Sequence, residues 1–78
     1  MPPVDDEHRH ILNQIATTRD ALNHAANLTD AALNWARRLE WEACRNQLNA
    51  AAREIEGAQH ARVAARDMVV RRLRRRQP

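Results

Sequence analysis

The chain has 78 residues, one cysteine and no lysine, so all thirteen of its basic residues are arginine. This length allows one small domain at most, and the single cysteine, Cys44, excludes an internal disulfide. The net charge of +3 is unevenly distributed: residues 1–57 carry six arginines against nine acids, whereas residues 58–78 carry seven arginines against one acid.

Several functional classes are excluded by what the sequence lacks. It has no apolar run long enough for a membrane span, and its acidic start differs from the basic start of a signal peptide, so we expect a cytoplasmic protein. Exclusive use of arginine, together with fifteen alanines, indicates the coding bias of a GC-rich bacterium or phage. No nucleophile–base pair, metal-ligand spacing or glycine-rich loop is present, so we expect no enzyme activity, no metal and no cofactor. Cys44 is expected to be a buried, inert thiol.

The first predicted element is a helix over about residues 6–26. The chain lacks Phe and Tyr and has prolines only at positions 2, 3 and 78, which favours an all-α fold. Asp5 or Asp6 is the expected N-cap, and Glu7 follows in the first turn, where a negative charge is favourable. The apolar residues then recur every three or four positions, as on one side of an amphipathic helix: Ile11, Ile15, Thr18, Leu22 and Ala25.

A tight turn is predicted at residues 27–29. Asn27 is suited to the left-handed position that closes a helix, and Thr29 is suited to cap the next one. Leu28 and Leu33 have the spacing of a hydrophobic staple around that cap. The alternative is a single uninterrupted helix from residue 5 to residue 76.

The second predicted helix covers about residues 30–75 and is apolar on two sides. Trp35 and Leu39 lie on one side, and Trp41 lies on the other. A helix that is apolar on two sides needs two neighbours, and the first helix supplies only one of them. We therefore expect a homodimer, a coiled-coil-like four-helix bundle whose parallel or antiparallel sense stays open. The predicted interface consists of Trp35, Leu39, Trp41, Leu48, Ile55 and Val69.

Gly57 is the only glycine, and it marks either a kink or an unbroken stretch of this long helix. No capping residue follows it, so we expect the helix to continue. Such a helix is about twice as long as the first. Its alanine-rich second half, residues 58–75, is then expected to be exposed unless a partner covers it.

The basic arm, residues 58–78, has three interpretations. It neutralises phosphates of nucleic acid, or it solvates a helix end whose dipole favours cations, or it pairs with the acids of a neighbouring subunit, Asp5, Asp6 and Glu7 among them. The candidate phosphate contacts are Arg62, Arg66, Arg71, Arg72, Arg74, Arg75 and Arg76.

Together these features predict one small self-associating helical domain, an interaction or regulatory module that binds a protein partner. The alternative is a nucleic-acid-associated regulator that uses the basic arm.

Overall fold

The fold is a helical hairpin, as the sequence predicts. The computed structural model describes residues 5–76, with side chains as far as Arg75. Helix α1 spans Asp6–Arg37 and helix α2 spans Trp41–Arg76, and the two run antiparallel in a hairpin that measures 60 × 24 × 13 Å between its outermost Cα atoms. The described residues contain no strand.

Helix α1 begins where the sequence places it. The carboxylate of Asp5 accepts a hydrogen bond from the backbone N–H of His8 at 2.6 Å, which satisfies one of the unpaired donors of the first turn. Asp6 and Glu7 follow and add negative charge at the positive end of the helix dipole.

The predicted turn at residues 27–29 is wrong, because this segment is an uninterrupted part of α1. The Thr29 hydroxyl donates to the carbonyl of Ala25, one helical turn back, at 2.8 Å. Threonine makes this bond inside helices as readily as it caps them, and Asn27 also takes a helical conformation here. Residues 27–29 are therefore compatible with a turn and with a helix, and the packing of α1 against α2 selects the helix.

The turn actually lies at Arg38, Leu39 and Glu40. Leu39 has φ of 60°, the left-handed conformation that usually requires glycine. Its N–H bonds the carbonyl of Ala36 at 3.0 Å, and the N–H of Glu40 bonds the carbonyl of Trp35 at 2.9 Å. This pair of bonds is the Schellman motif, which closes α1 and reverses the chain within three residues.

The position of the turn overturns two further predictions. The helix that appears to be apolar on two sides is in fact two helices, since Trp35 belongs to α1 and Leu48 to α2. The helices are also nearly equal, at 32 and 36 residues, so α2 does not extend far beyond α1. Its second half is therefore covered rather than exposed. The expected continuation through Gly57 is confirmed, because α2 is unbroken there.

The core between the helices consists almost entirely of alanine. Ala25 and Ala32 are buried from α1, seven residues apart, and most of the buried positions in α2 follow the same spacing. Alanine lets two helices approach closely but buries little apolar area per residue. No side chain larger than Ile11 or Met68 is buried in the described residues. The buried set is Ile11, Ala25, Ala32, Ala51, Ala58, Ala61, Ala65 and Met68.

Candidate functional site

The large apolar side chains lie outside the core, mostly on one broad side of the hairpin. A groove of about 440 Å³ is lined by Ile15 and Leu22 from α1 and by Arg62 from α2. Nearer the ends of the chain, a second groove of about 310 Å³ is lined by residues that include His8 and Val69. Since each groove draws on both helices, these residues of α1 and α2 face the same way.

The seven-residue spacing extends this surface along the whole hairpin. In α2, Leu48 and Ile55 precede Arg62 and Val69 at intervals of seven, which is almost two full helical turns and keeps them on one face. All are exposed, and Ile55 is 52% exposed. We call this surface the apolar side. Its large apolar residues are Leu12, Ile15, Leu22, Leu33, Trp41, Leu48, Ile55, Val69 and Leu73.

The interface residues predicted from the sequence are only partly brought together. Trp41, Leu48, Ile55 and Val69 lie on the apolar side, and Trp41 is 63% exposed. Trp35 does not join them: it is half-buried at the end of α1, with the guanidinium of Arg38 5.6 Å from its ring centre.

Leu39 lies in the turn and is 71% exposed, and its backbone rather than its side chain has the structural role.

The α1 half of the apolar side is missing from the predicted interface. Ile15 and Leu22 belong to the apolar series of the first predicted helix, yet both are about half exposed in the hairpin. The residues of α1 that are buried, Ile11, Ala25 and Ala32, differ in number by multiples of seven. Ile15 and Leu22 form a second series with the same interval, one helical turn away from the first. The presence of two such series in the sequence indicates two separate contact surfaces on α1.

A different side of α1 is polar. Asn13, Asp20, Asn27 and Asn34 recur there every seven residues, and all four are exposed. The two helices are also in contact through His24 and Glu54, whose Nδ1 and Oε1 atoms lie 3.1 Å apart. This contact shows the register of the hairpin, because the middle of α1 lies beside residue 54 of α2.

At the open end of the hairpin, the beginning of α1 is tied to the end of α2 by ion pairs. Arg72 makes two hydrogen bonds to Asp5, at 3.3 and 2.8 Å, and Arg75 Nη2 donates to Glu7 Oε2 at 2.8 Å. The other oxygen of Glu7, Oε1, is buried without a hydrogen bond and lies 3.8 Å from Arg72 Nε. We call these four residues the clasp. One of the three interpretations of the basic arm paired Asp5 and Glu7 with arginines of a neighbouring subunit. Here they pair with arginines of the same chain, because the two helices end at the same level.

The remaining arginines of the basic arm point elsewhere. Arg66, Arg71 and Arg74 line a shallow depression on α2 together with Asp67 and Val70, and we call these three arginines the outer arginines. Of these three arginines, only Arg66 forms an ion pair among the described residues, with Asp67 at 3.7 Å.

Arg62 lies on the apolar side, where its Nε donates to Gln59 at 3.0 Å. Arg76 belongs to α2, but its side chain lies outside the described residues. The predicted phosphate contacts therefore divide between three surfaces.

No other chemical centre is evident in residues 5–76. Cys44 is half-buried near the turn, and no group of three or more His, Cys, Asp or Glu side chains is placed to hold a metal ion. Neither described helix has a stretch long and apolar enough to cross a membrane. The chain matches no protein-family model, no curated protein and no solved structure.

Proposed function

We propose that this chain is a small self-associating interaction module, in which the apolar sides of two copies pack together into a coiled-coil-like four-helix bundle. One observation carries the proposal: the hairpin buries alanine and exposes leucine, isoleucine and tryptophan. Soluble monomers rarely leave large apolar side chains contiguous on one face, and surfaces of this kind mark interaction sites.

A second copy is favoured as the occupant by the size and shape of the surface. The broad face of the hairpin measures 60 × 24 Å, which is more than the roughly 800 Å² that each partner contributes to a stable interface. Two helices joined by an alanine core also stabilise the fold only weakly. Domains below about 80 residues commonly gain the remaining stability by oligomerising. A flat, elongated face that runs the length of the molecule fits a copy of itself.

An antiparallel dimer explains the position of Arg62. Leu22 and Ile55 lie at the middle of the hairpin, whereas Arg62 lies one heptad toward the open end and Leu48 one heptad toward the turn. A parallel dimer would place the two Arg62 side chains at the same level of the apolar interface. In the antiparallel dimer Arg62 meets Leu48, its aliphatic stem packs there, and its charge reaches the rim.

The same arrangement accounts for Trp41. Trp41 lies beside the turn, so in an antiparallel dimer it approaches the open end of the other copy. There the groove of about 310 Å³ between His8, Val69 and Leu73 offers an apolar recess. Tryptophan seated in a pocket is a frequent source of interface binding energy.

What stays exposed in such a dimer is polar helix surface and the arginine-bearing ends, through which the module would bind a further protein. The expected origin, a bacterium or a phage, and the expected cytoplasmic site of action are supported by the sequence composition alone.

Sedimentation equilibrium of matched variants tests self-association. We expect the wild type to sediment at twice 9.0 kDa at micromolar concentration. Leu22→Glu places a charge at the centre of the interface in both copies, and we expect at least a hundredfold weaker dimer, because burying an unpaired charge costs several kcal/mol. The control is Asn13→Glu, which adds the same charge on the polar side and should leave the mass unchanged.

The hairpin itself should tolerate Leu22→Glu, since Leu22 is 49% exposed within one chain, and circular dichroism checks this. A wild-type mass of 9.0 kDa at 100 μM would refute the proposal. Equal effects of Leu22→Glu and Asn13→Glu would also refute it, because they would show that net charge rather than the apolar side controls association.

A further inference from the structure

We infer that the open end of the hairpin is a binding site for the phosphate backbone of duplex nucleic acid, and that the carboxylates of the clasp occupy part of this site when no ligand is bound. The inference goes beyond self-association and does not depend on it. It starts from the division of the terminal arginines into two sets with different surroundings.

The first set, the outer arginines, is available to a ligand. Arg71 and Arg74 are exposed and have no carboxylate within ion-pairing distance among the described residues. Arg66 is exposed and keeps only a loose contact to Asp67. From Arg66 to Arg74 is eight residues of α2, about 12 Å of helix, so the three charges form a compact positive surface. A guanidinium group matches phosphate in shape and charge.

The second set, Arg72 and Arg75, is already bound to anions. Arg72 holds Asp5 through two nitrogens, which is the two-pronged geometry that arginine also uses for phosphate. Arg75 holds Glu7 through one nitrogen. The clasp carboxylates thus lie where phosphate oxygens would bind.

These ion pairs are weak enough to be displaced. The side chains of Asp5 and Arg75 are 56% and 64% exposed, and an ion pair in contact with water contributes at most about 1 kcal/mol. A polyanion bound to the outer arginines can therefore also contact Arg72 and Arg75, once its phosphates displace the carboxylates of the clasp.

Duplex rather than single-stranded nucleic acid is favoured by the position of the aromatic residues. Binding of single strands relies on stacking of bases on aromatic side chains. Trp35 and Trp41 are the only aromatic residues of the Phe, Tyr and Trp types, and both lie at the turn, the opposite end of the hairpin. Among the described residues the open end carries arginines but no Phe, Tyr or Trp, which suits contacts to the phosphate backbone and no reading of base sequence.

The test measures the salt dependence of binding to a 20-base-pair duplex DNA by fluorescence anisotropy. Each phosphate contact contributes about −0.9 to the slope of log K against log salt concentration. We expect a slope near −4.5 for the wild type, from the three outer arginines and the two clasp arginines that the ligand gains. For Asp5→Asn/Glu7→Gln, which leaves no carboxylate to displace, we expect the same slope and several-fold tighter binding at each salt concentration. Asparagine caps a helix as well as aspartate, so the fold is kept.

Two controls separate this mechanism from general charge. Asp20→Asn/Glu56→Gln removes two negative charges away from the open end and should raise the affinity far less than Asp5→Asn/Glu7→Gln does. Arg71→Gln/Arg74→Gln should lose most of the binding, whereas Arg37→Gln/Arg38→Gln, at the turn, should keep it.

Three results would overturn the inference. The first is no binding of the wild type at about 20 mM salt, and binding to polyglutamate in its place would assign the surface to acidic proteins. The second is an affinity of Asp5→Asn/Glu7→Gln no higher than that of the wild type or of Asp20→Asn/Glu56→Gln. The third is wild-type binding by Arg71→Gln/Arg74→Gln.

Discussion

Replacing Leu39 by glycine should stabilise the protein. Leu39 is the residue of the turn with φ of 60°, and an L-amino acid pays about 1–2 kcal/mol for this conformation. Glycine adopts it freely but loses more chain entropy on folding, which offsets about 0.5–1 kcal/mol. We therefore expect Leu39→Gly to raise the free energy of unfolding by about 1 kcal/mol. For a chain of this length that corresponds to roughly 6 °C in melting temperature.

The matched control is Leu39→Ala, which removes the same exposed side chain and keeps the strain. Thermal and urea unfolding of both variants should be compared at equal protein concentration, because the stability of a dimer depends on it. Leu39→Gly should exceed Leu39→Ala by about 1 kcal/mol, the difference being the cost of the left-handed conformation. If Leu39→Gly is equal to or less stable than Leu39→Ala, residue 39 does not take a positive φ, and the chain does not turn at residues 38–40.

Three further predictions concern the helices and the clasp. Gly57→Ala should raise the free energy of unfolding by about 1 kcal/mol in urea titrations, since a methyl group there meets no atom within 4 Å and alanine is the better helix former; a loss of stability would indicate a break in α2. Ala58→Leu should cost about 1–3 kcal/mol by overfilling the contact between the helices, whereas Asn49→Leu, at an exposed position, should cost nothing measurable; equal effects would argue against an alanine core. Glu7→Gln should lower the melting temperature by only a few degrees, because its partners Arg72 and Arg75 are partly exposed, and a loss above about 2 kcal/mol would show that the clasp is a main source of stability.

The fold class was predictable because its determinants are local. The alanine-rich composition and the absence of internal proline favour helices along the whole chain, and the Asp5 cap shows where the first helix begins. The continuation of α2 through Gly57 was predictable for the same reason, since no capping residue follows it. The position of the turn was not predictable from local signals. Leu39 is not a residue type that usually forms turns. Thr29 is a residue type that often caps helices, but here it lies inside α1.

The surfaces were harder to predict than the elements, because they depend on where the turn falls. With the turn at residue 39, Ala58 and Ala65 face α1, and the series that contains Leu48 and Ile55 is displaced to the outside. The same shift brings Asp5 beside Arg72, a pair separated by 67 positions in the chain. Sequence patterns identified which residues are apolar or basic, and the register of the hairpin decided which of them share a surface.

The most direct test of the central claim is a set of isotope-filtered nuclear Overhauser measurements on a mixture of labelled and unlabelled chains. These report only contacts between different copies. We predict intermolecular contacts among the methyl groups of Leu22 and Ile55, and between the Trp41 ring and Val69, as the antiparallel dimer requires. Intermolecular contacts confined to the polar side, or their absence at millimolar concentration, would contradict the claim that a second copy covers the apolar side.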